Sequence, residues 1–484
     1  MSLNNFFFII FFAVTFFLYW ILAKMIKLQC MRSRVLSIYL LLCSYCFVAL
    51  SDIRFLLCVI GITVVTYGTP ILYEKSVFGK KQIWIFLGVI VNLLFLGVFK
   101  YLGFFYDQIS QLLGAESAAL KIILPVGISF YTFSAISYIV DIYHKKLEAG
   151  SSFADVALYV AFFPKLSSGP IVRAKDFFAQ LPSLGENLSE NFKCGIQIFA
   201  IGCFKKMVLA DHLGVFVDEV FFSPDAFHSV TILWTIISYS LQIYFDFSGY
   251  SDMAIGISKM FGFDFSWNFN FPYLSKNVTE FWKRWHISLS SWLQEYLYYS
   301  LGGNRKGVVR TYVNLVLTML LGGLWHGASW TFVVWGLLHG VGLVVHKLFM
   351  KWKLRANRSA FFDTKLWNAI SVVLTFAYVT FCWIWFRASS FENAWNMISR
   401  MFIYHDGILQ PYTWTIYAIV VLIIAMIVMW KRRKCDGKMP LRLEERYILL
   451  NLDTICGLCL FFVFCGLIVG LAYFGNTAFI YGAF

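Results

Sequence analysis

The sequence contains few charged residues, since Asp, Glu, Lys and Arg make up only 14% of its 484 positions. Soluble domains usually carry about 25%, so this composition excludes an ordinary soluble globular protein. Hydrophobic residues make up 60% of the chain and aromatic residues 20%. Apolar runs long enough to cross a hydrocarbon core about 30 Å thick recur from end to end. We therefore predict an all-α, polytopic membrane protein with roughly eleven to thirteen membrane segments, some of them short or re-entrant.

Acidic residues are scarcer than basic ones, and the formal net charge is +14. The Lys and Arg residues lie in short clusters between apolar runs, which indicates membrane topology and not a nucleic-acid partner. The positive-inside rule makes these clusters cytoplasmic and predicts that both chain termini lie outside the cell membrane. The clusters are Lys24 to Arg34, Lys75 to Lys81, Lys145 with Lys146, Lys347 to Arg358, and Lys431 to Lys434.

The chain also lacks several common catalytic and metal-binding patterns. It has no GxSxG nucleophile elbow and no Cys next to a His, which argues against a covalent acyl intermediate on this chain. The C-x-x-C pairs Cys43/Cys46 and Cys456/Cys459 have neither a second pair nor a nearby His. We therefore predict no metal site and no bound cofactor.

Apolar patterning divides the chain into three predicted parts. Residues 1–110 are N-terminal transmembrane helices, 111–390 form a core with re-entrant and interfacial helices, and 391–484 are C-terminal transmembrane helices. Within the core, Ala161 to Arg173 (AFFPKLSSGPIVR) contains two prolines, a Gly and two Ser, which predicts a broken or re-entrant helix. The hydroxyl-rich stretch Pro125 to His144 is interpreted in the same way.

His326 lies in an uncharged stretch, GLWHGASWTFVVWGLLHG, from Gly323 to Gly340. A titratable side chain inside a membrane is by default a candidate functional residue, although a core histidine bonded to a carbonyl is an alternative. From Thr311 to Trp325 the chain advances only about 21 Å as a helix. We therefore expect an incomplete crossing with Trp325 and His326 at a turn inside the membrane. His339 is expected to face away from His326 and to be structural.

His286 lies in NVTEFWKRWHISLSSWLQEYLYYSL, which begins at Asn277. Asn277 and Glu280 resemble a capping box, and the apolar residues form one stripe that contains His286. The pattern predicts a single interfacial helix with its histidine pointing into the protein or the bilayer.

Two further groups of polar residues are candidate binding residues. One group is a polar run that either lines a substrate pocket or bonds neighbouring broken helices. The other group consists of basic residues that either hold the phosphates of an acyl donor or serve only as topological anchors. The polar run includes Gln242, Tyr244, Asp246 and Ser248, and the basic group is Lys283, Arg284, Arg305 and Lys306.

A neutral imidazole in a dry site is a suitable general base for a hydroxyl that attacks an activated acyl group. The opposing hypothesis is a transporter or flippase that uses the polar run as a passage. Many transporters are built from internal repeats, and the sequence shows none, which weakens the transporter hypothesis.

Five segments in register resemble the membrane-bound O-acyltransferase family, most closely its bacterial alginate O-acetyltransferase and D-alanyl-transfer branches. They are FFPKLSSGPIVR, FKKMVLAD, SLQIYFDFSGYSDMAIGISKMFGF, HISLSSWLQEYLYYSLGGNRKG and GLWHGASWTFVVWGLLHG. The resemblance implies a ring of helices around a thin centre, where an extracellular funnel meets a cytoplasmic pocket. His326 then matches the near-invariant catalytic histidine and His286 the second, cytoplasm-side histidine, while Trp325 and Ser329 are expected to contact substrate.

The resemblance also implies substrates and partners. Family members move an acyl group from a cytosolic thioester, such as acetyl-CoA, to an acceptor outside. They usually act with an extracytoplasmic partner acetyltransferase that places the group on a polysaccharide such as alginate or a cell-wall glycan. D-alanyl transfer to teichoic acid is the alternative, although the length of this chain suits the alginate-type branch better.

Overall fold

The computed structural model describes residues 3, 5–76, 81–114, 123–355, 362–436, 450–475 and 480, with the backbone alone for 429–436. Helices form all of its long elements, and the described residues contain no strand beyond one isolated bridge between Phe227 and Ile408. Eight helices among the described residues are long and apolar enough to cross a membrane. The prediction of an all-α, polytopic membrane protein is thereby confirmed.

Helices are numbered in chain order. The eight candidate spans are α1 (Phe6–Met25), α2 (Gln29–Ser51), α3 (Ile53–Lys75), α4 (Gln82–Leu112), α11 (Ser229–Met260), α14 (Val308–His326), α15 (Trp330–Arg355) and α16 (Lys365–Arg387). The shorter helices between them are α5 (Ile128–Tyr143), α6 (Phe153–Ala161), α7 (Phe163–Leu166), α8 (Ala174–Phe178), α9 (Leu188–Cys203), α10 (Asp211–Phe222), α12 (Val278–Arg284) and α13 (Ile287–Trp292). The last helices are α17 (Phe391–Phe402), α18 (Thr413–Asp436) and α19 (Ile455–Leu471).

Two compact units divide the chain. The first unit comprises residues 1–201, 250–266 and 447–461, and the second comprises 202–249, 267–446 and 462–484. Both units are discontinuous in sequence, so neither coincides with a simple stretch of the chain. The three-part organisation expected from apolar patterning stays a prediction.

In the first unit, the segment from Ala161 to Arg173 is a broken helix, as predicted. The helix α6 ends at Ala161, and α7 occupies only Phe163–Leu166 before an irregular loop. Pro164 lies in the first turn of α7, where its missing N–H costs nothing. The amide freed at the break is satisfied, because Phe163 N donates to the Ser44 hydroxyl of α2 at 3.2 Å. The interpretation of Pro125 to His144 as a second interrupted stretch is wrong, since Ile128–Tyr143 is one regular, buried helix.

In the second unit, α14 and α15 form a hairpin whose turn is only Gly327 to Ser329. The hairpin agrees with the prediction from the sequence, but the prediction that its first helix crosses only part of the membrane is wrong. The helix begins at Val308, three residues before Thr311, and its 19 residues span about 28 Å. His326 is therefore the last residue of a helix of full membrane length, and the turn follows it.

Candidate active site

A break in the chain places His286. The single helix predicted from Asn277 to Leu301 is wrong: α12 ends at Arg284, α13 begins at Ile287, and Leu293–Tyr298 is a π-helix. His286 adopts the left-handed conformation, with φ 42° and ψ 57°. That backbone is uncommon for any residue other than Gly, and the apolar stripe does not reveal it.

Asn268 holds the residues that follow the break. Its carbonyl accepts from Ile287 N at 2.9 Å, and its side-chain oxygen accepts from Ser288 N at 3.3 Å. These two bonds satisfy amides that the start of a short helix would otherwise leave open. The histidine that precedes them is consequently fixed in place.

The His286 side chain is 0% exposed, so it points into the protein as predicted. Its ring meets the Phe247 ring edge-on, with centroids 4.6 Å apart. Burial in this apolar setting lowers the pKa of His286 to about 3. At neutral pH its imidazole is uncharged, with one N–H donor and one acceptor nitrogen.

His326 is enclosed by aromatic rings at the end of α14. It is 3% exposed, and three rings stand nearly perpendicular to it, those of Trp325, Trp335 and Phe386, at centroid distances of 4.9, 5.0 and 5.3 Å. The enclosure restricts the imidazole to few orientations. A restricted base is what a proton transfer of fixed geometry requires.

Trp325 connects the two histidines. Its ring centroid lies 4.9 Å from that of His326 and 6.2 Å from that of His286. Two histidines 40 positions apart in the sequence therefore border one indole. From the sequence, only the family resemblance predicts that the two histidines belong to one site, because no periodicity relates the two segments that contain them.

The polar run on α11 is divided between two sides of that helix. The Tyr244 ring contacts the Trp285 ring in a tilted arrangement, with centroids 6.4 Å apart, and the Phe247 ring contacts that of His286. Ser248, one turn beyond Tyr244, lies on the same side. Its buried hydroxyl has no hydrogen-bond partner among the described residues. Tyr244 and Ser248 are therefore the members of the run that lie towards the histidines.

Gln242 and Asp246 lie on a different side of α11. The Gln242 amide lies against Gly214 of α10, and the Asp246 carboxylate lies 2.5 Å from the Lys206 ammonium. Lys206 also pairs with Asp211 at 2.8 Å, and all three charged side chains are buried. A role of Gln242 and Asp246 in substrate binding stays a prediction, and Asp246 has a clear structural partner.

This buried ion-pair cluster was not foreseen. Lys206 and Asp211 are five residues apart, which in an α-helix separates them by about 140°. Phe204–Ala210 is a π-helix, whose wider turn brings positions i and i+5 together. The FKKMVLAD letters contain the charges, but nothing in their spacing indicates the π-helix.

The four basic candidates differ in availability. Lys283, Arg305 and Lys306 are exposed, whereas Arg284 is half-buried. The Arg284 guanidinium pairs with Glu280 at 2.6 Å and donates to the Asn270 carbonyl at 3.3 Å. Arg284 therefore has a local structural partner, and the other three side chains are accessible to a ligand.

Two residues of the stretch from Gly323 to Gly340 form local structural contacts. The Ser329 hydroxyl accepts from Thr331 N at 3.3 Å at the start of α15. His339 accepts from the Trp282 indole N–H at 3.2 Å and is fully buried. The expectation that His339 faces away from His326 treated the two residues as lying on one helix, and it does not apply because they lie on α14 and α15. The Trp335 ring contacts both, with its centroid 5.0 Å from that of His326 and 4.9 Å from that of His339.

Within the described part of the chain, no three His, Cys, Asp or Glu side chains are grouped so that they could hold a metal ion. The site consists of two buried imidazoles, a shared indole, and hydroxyl groups from α11. Such a set can transfer protons and form hydrogen bonds to a neutral or polar substrate.

Comparison with known proteins identifies the family. The model of the membrane-bound O-acyltransferase family matches residues 144–391, which include both histidines. The chain is 42% identical over 375 residues to the protein named probable alginate O-acetylase AlgI of Pseudomonas aeruginosa, covering 76% of this chain and 70% of that one. It is 36% identical over 392 residues to the peptidoglycan O-acetyltransferase of Helicobacter pylori, covering 75% and 73%.

A more distant relative carries out a different transfer. The teichoic acid D-alanyltransferase of Bacillus subtilis is 28% identical over 282 residues, which cover 55% of this chain and 70% of that protein. The family match and the similar acetylases agree with the helical, multi-pass structure. This chain is an acyltransferase that belongs to the membrane-bound O-acyltransferase family.

Proposed function

We propose that this chain is an O-acetyltransferase of the cell membrane that uses acetyl-CoA from the cytosol to acetylate a polysaccharide outside, with His326 as the general base. One observation carries the assignment of the base. His326 is buried among three aromatic rings at the end of α14, inside the segment that the family model matches. The named relatives that support acetyl transfer are more similar to this chain than the D-alanyltransferases are.

The reaction requires one proton transfer in each direction. His326 accepts the proton of the acceptor hydroxyl as the hydroxyl oxygen attacks the thioester carbonyl carbon. The carbon–sulfur bond then breaks, and the proton passes from the imidazolium to the departing thiolate. Atoms and charge balance without an acyl intermediate on this chain, and no nucleophilic Ser or Cys is needed.

His286 serves as the hydrogen-bonding group on the donor side. Because burial keeps its imidazole neutral, it acts through one donor and one acceptor nitrogen and not through charge. Ser248 and Tyr244 complete the polar lining on the same side of α11. Lys283, Arg305 and Lys306, which are exposed, bind the phosphates of acetyl-CoA at the cytoplasmic surface.

The remaining assignments concern topology and assembly. We propose that both termini lie outside the cytoplasmic membrane, in line with the basic clusters. The acceptor hydroxyl belongs to a polysaccharide, such as alginate or a cell-wall glycan, and an extracytoplasmic acetyltransferase acts as partner. The similarity to proteins named as alginate and peptidoglycan O-acetylating enzymes supports this class of acceptor.

The decisive experiment measures base-labile acetate on secreted and cell-wall glycans in cells that carry the native chain or a variant. His326→Ala is expected to abolish acetylation while membrane insertion and protein level stay normal. His144→Ala, which changes an exposed histidine, is the matched control and should leave acetylation intact. Acetylation that survives His326→Ala would remove the general base from the mechanism.

The same samples distinguish the alternatives. Base-labile D-alanine in place of acetate would establish the D-alanyl reaction of the more distant relatives. A transporter or flippase would move substrate without transferring label, so membrane vesicles supplied with acetyl-labelled acetyl-CoA would leave the glycan unlabelled. Label on the glycan that depends on His326 excludes both alternatives.

A further inference from the structure

A long apolar groove runs between α1 and α9 of the first unit, outside the candidate active site. Its volume is about 870 Å³, and its lining extends along α1 from Phe8 to Lys24. That is about 24 Å of helix, more than the depth of one leaflet of a hydrocarbon core about 30 Å thick. The groove has the volume of a site for one elongated ligand.

Aromatic side chains form the walls. Phe12 stacks on Phe16 with centroids 5.8 Å apart, and Phe16 stacks on Phe192 of α9 at 5.2 Å. Among the described residues of the lining, only Lys24 and Ser189 have charged or hydroxyl side chains. The interior of the groove therefore matches a hydrocarbon chain and not a polar solute.

The two polar residues lie at the same end. The Gln29 amide, just after α1, donates to the carbonyls of Pro182 and Leu184 at 2.7 and 3.3 Å, just before α9 begins. The start of α9, with Ser189, is thereby held beside the end of α1, with Lys24. The groove has one charged end, and the rest of its length is apolar.

Lys24 is exposed, and its ammonium lies 3.7 Å from the centroid of the Trp20 ring. No carboxylate pairs with it among the described residues, whereas the nearby Glu190 pairs at 2.9 Å with Lys193, which also pairs with Asp453. An aromatic ring and a lysine at one level are typical of the membrane interface. An anionic headgroup would supply the missing negative charge.

We propose that this groove binds one anionic phospholipid, with an acyl chain between α1 and α9 and the headgroup phosphate on Lys24. A transmembrane helix of a partner protein is the other candidate. A helix about 10 Å wide and 24 Å long fills roughly 1,900 Å³, more than twice the volume of the groove. A single hydrocarbon chain is slimmer, and the volume therefore favours the lipid.

The test uses the purified full-length chain in nanodiscs of phosphatidylcholine. Phosphatidylglycerol or phosphatidylcholine with brominated acyl chains is added in increasing mole fraction, and the quenching of Trp20 is obtained as the difference between the native chain and Trp20→Phe. We expect phosphatidylglycerol to quench Trp20 at about a fivefold lower mole fraction than phosphatidylcholine, because one lysine attracts an anionic lipid to about that extent.

Two variants and a control separate headgroup from chain binding. Lys24→Gln should bring the two lipids to equal mole fractions, and Ala13→Phe, which fills the groove, should weaken quenching by both. Lys75→Gln changes an exposed lysine at the end of α3 and should leave the preference unchanged. All variants must elute as the native chain does in gel filtration.

Three results would overturn the proposal. They are equal quenching of the native chain by both lipids, a preference that survives Lys24→Gln, and a stoichiometric single-span protein that co-purifies and shields Trp20 from both lipids.

Discussion

The helices α14 and α15 pack closely, and our most specific prediction about catalysis concerns a substitution that would force them apart. At Gly336 of α15 an added Cβ would overlap the Met319 carbonyl oxygen and lie 3.1 Å from the Leu320 Cα of α14. Non-bonded carbons pack at roughly 3.5 Å or more, and the closer oxygen contact is the worse of the two. Because both obstructing groups are backbone, Gly336→Ala must push the two helices apart by about 1 Å.

That displacement acts directly on the general base. His326 ends α14, and the Trp335 ring beside it is carried by the residue next to Gly336. A displacement of about 1 Å at a catalytic group can cost roughly 100-fold in rate. Overpacking should also lower the free energy of unfolding by about 1–3 kcal/mol. We therefore expect a large loss of turnover in protein that still folds.

The assay is acetyl transfer in membrane vesicles at saturating acetyl-CoA, normalised to folded protein by gel filtration. Gly322→Ala is a matched control on α14, since its Cβ would meet only a Leu293 methyl carbon at 3.2 Å. Gly466→Ala, where the space is open, controls for an alanine in an apolar helix. Turnover of Gly336→Ala within threefold of the native rate would refute the link between helix spacing and the base.

Three further outcomes test other parts of the structure. Burial lowers the pKa of His286 from 6.5 to about 3, so the neutral His286 contributes its full stabilisation of the fold above pH 6.5 and loses it as the pH falls towards 3. Asn tolerates the left-handed backbone, so His286→Asn removes only the titrating group. The melting temperature of this variant should therefore depend less on pH over that range than that of the native chain. Lys206→Met leaves Asp211 and Asp246 as buried charges without a counter-ion and should lower the free energy of unfolding, measured by thermal unfolding, by about 3–5 kcal/mol. Asp246→Asn should lower it by less, and an equal loss would contradict the ion-pair assignment. Arg305→Gln should raise the KM for acetyl-CoA about fivefold without changing kcat. The KM for acetyl-pantetheine, which lacks the nucleotide phosphates, should stay the same. An equal rise in the KM for acetyl-pantetheine would argue against a contact between Arg305 and a phosphate.

Features that depend on neighbours in sequence could be predicted well. Half of the capping box is present, since Glu280 N donates to the Asn277 side chain at 2.8 Å, while the Glu280 carboxylate accepts from Lys276 N at 2.9 Å in place of Asn277 N. The break after Ala161 follows the prolines and glycine of that segment. The long apolar helices also follow from composition. These features are local, so a single sequence contains what specifies them.

Features that depend on unusual backbone conformations could not be predicted. The left-handed conformation of His286 interrupts a perfect apolar stripe, and the π-helix that contains Lys206 changes which charges meet. Both are stabilised by tertiary contacts, namely the Asn268 bonds and the Asp246 ion pair. Helical periodicity assumes 3.6 residues per turn throughout, so it fails where tertiary structure overrides that value.

The short helices of the first unit also constrain how the protein is made. The helices α5 to α8 have 16, 9, 4 and 5 residues, whereas a stable crossing needs about 20. Lys165 in α7 is almost fully buried, and a charged residue at membrane depth is costly in the absence of surrounding protein. These segments are too short to be stable as independent spans. The helices α5 to α7 pack against the long helices α2 and α3, which precede them in the chain, so we expect them to enter the bilayer only together with that support.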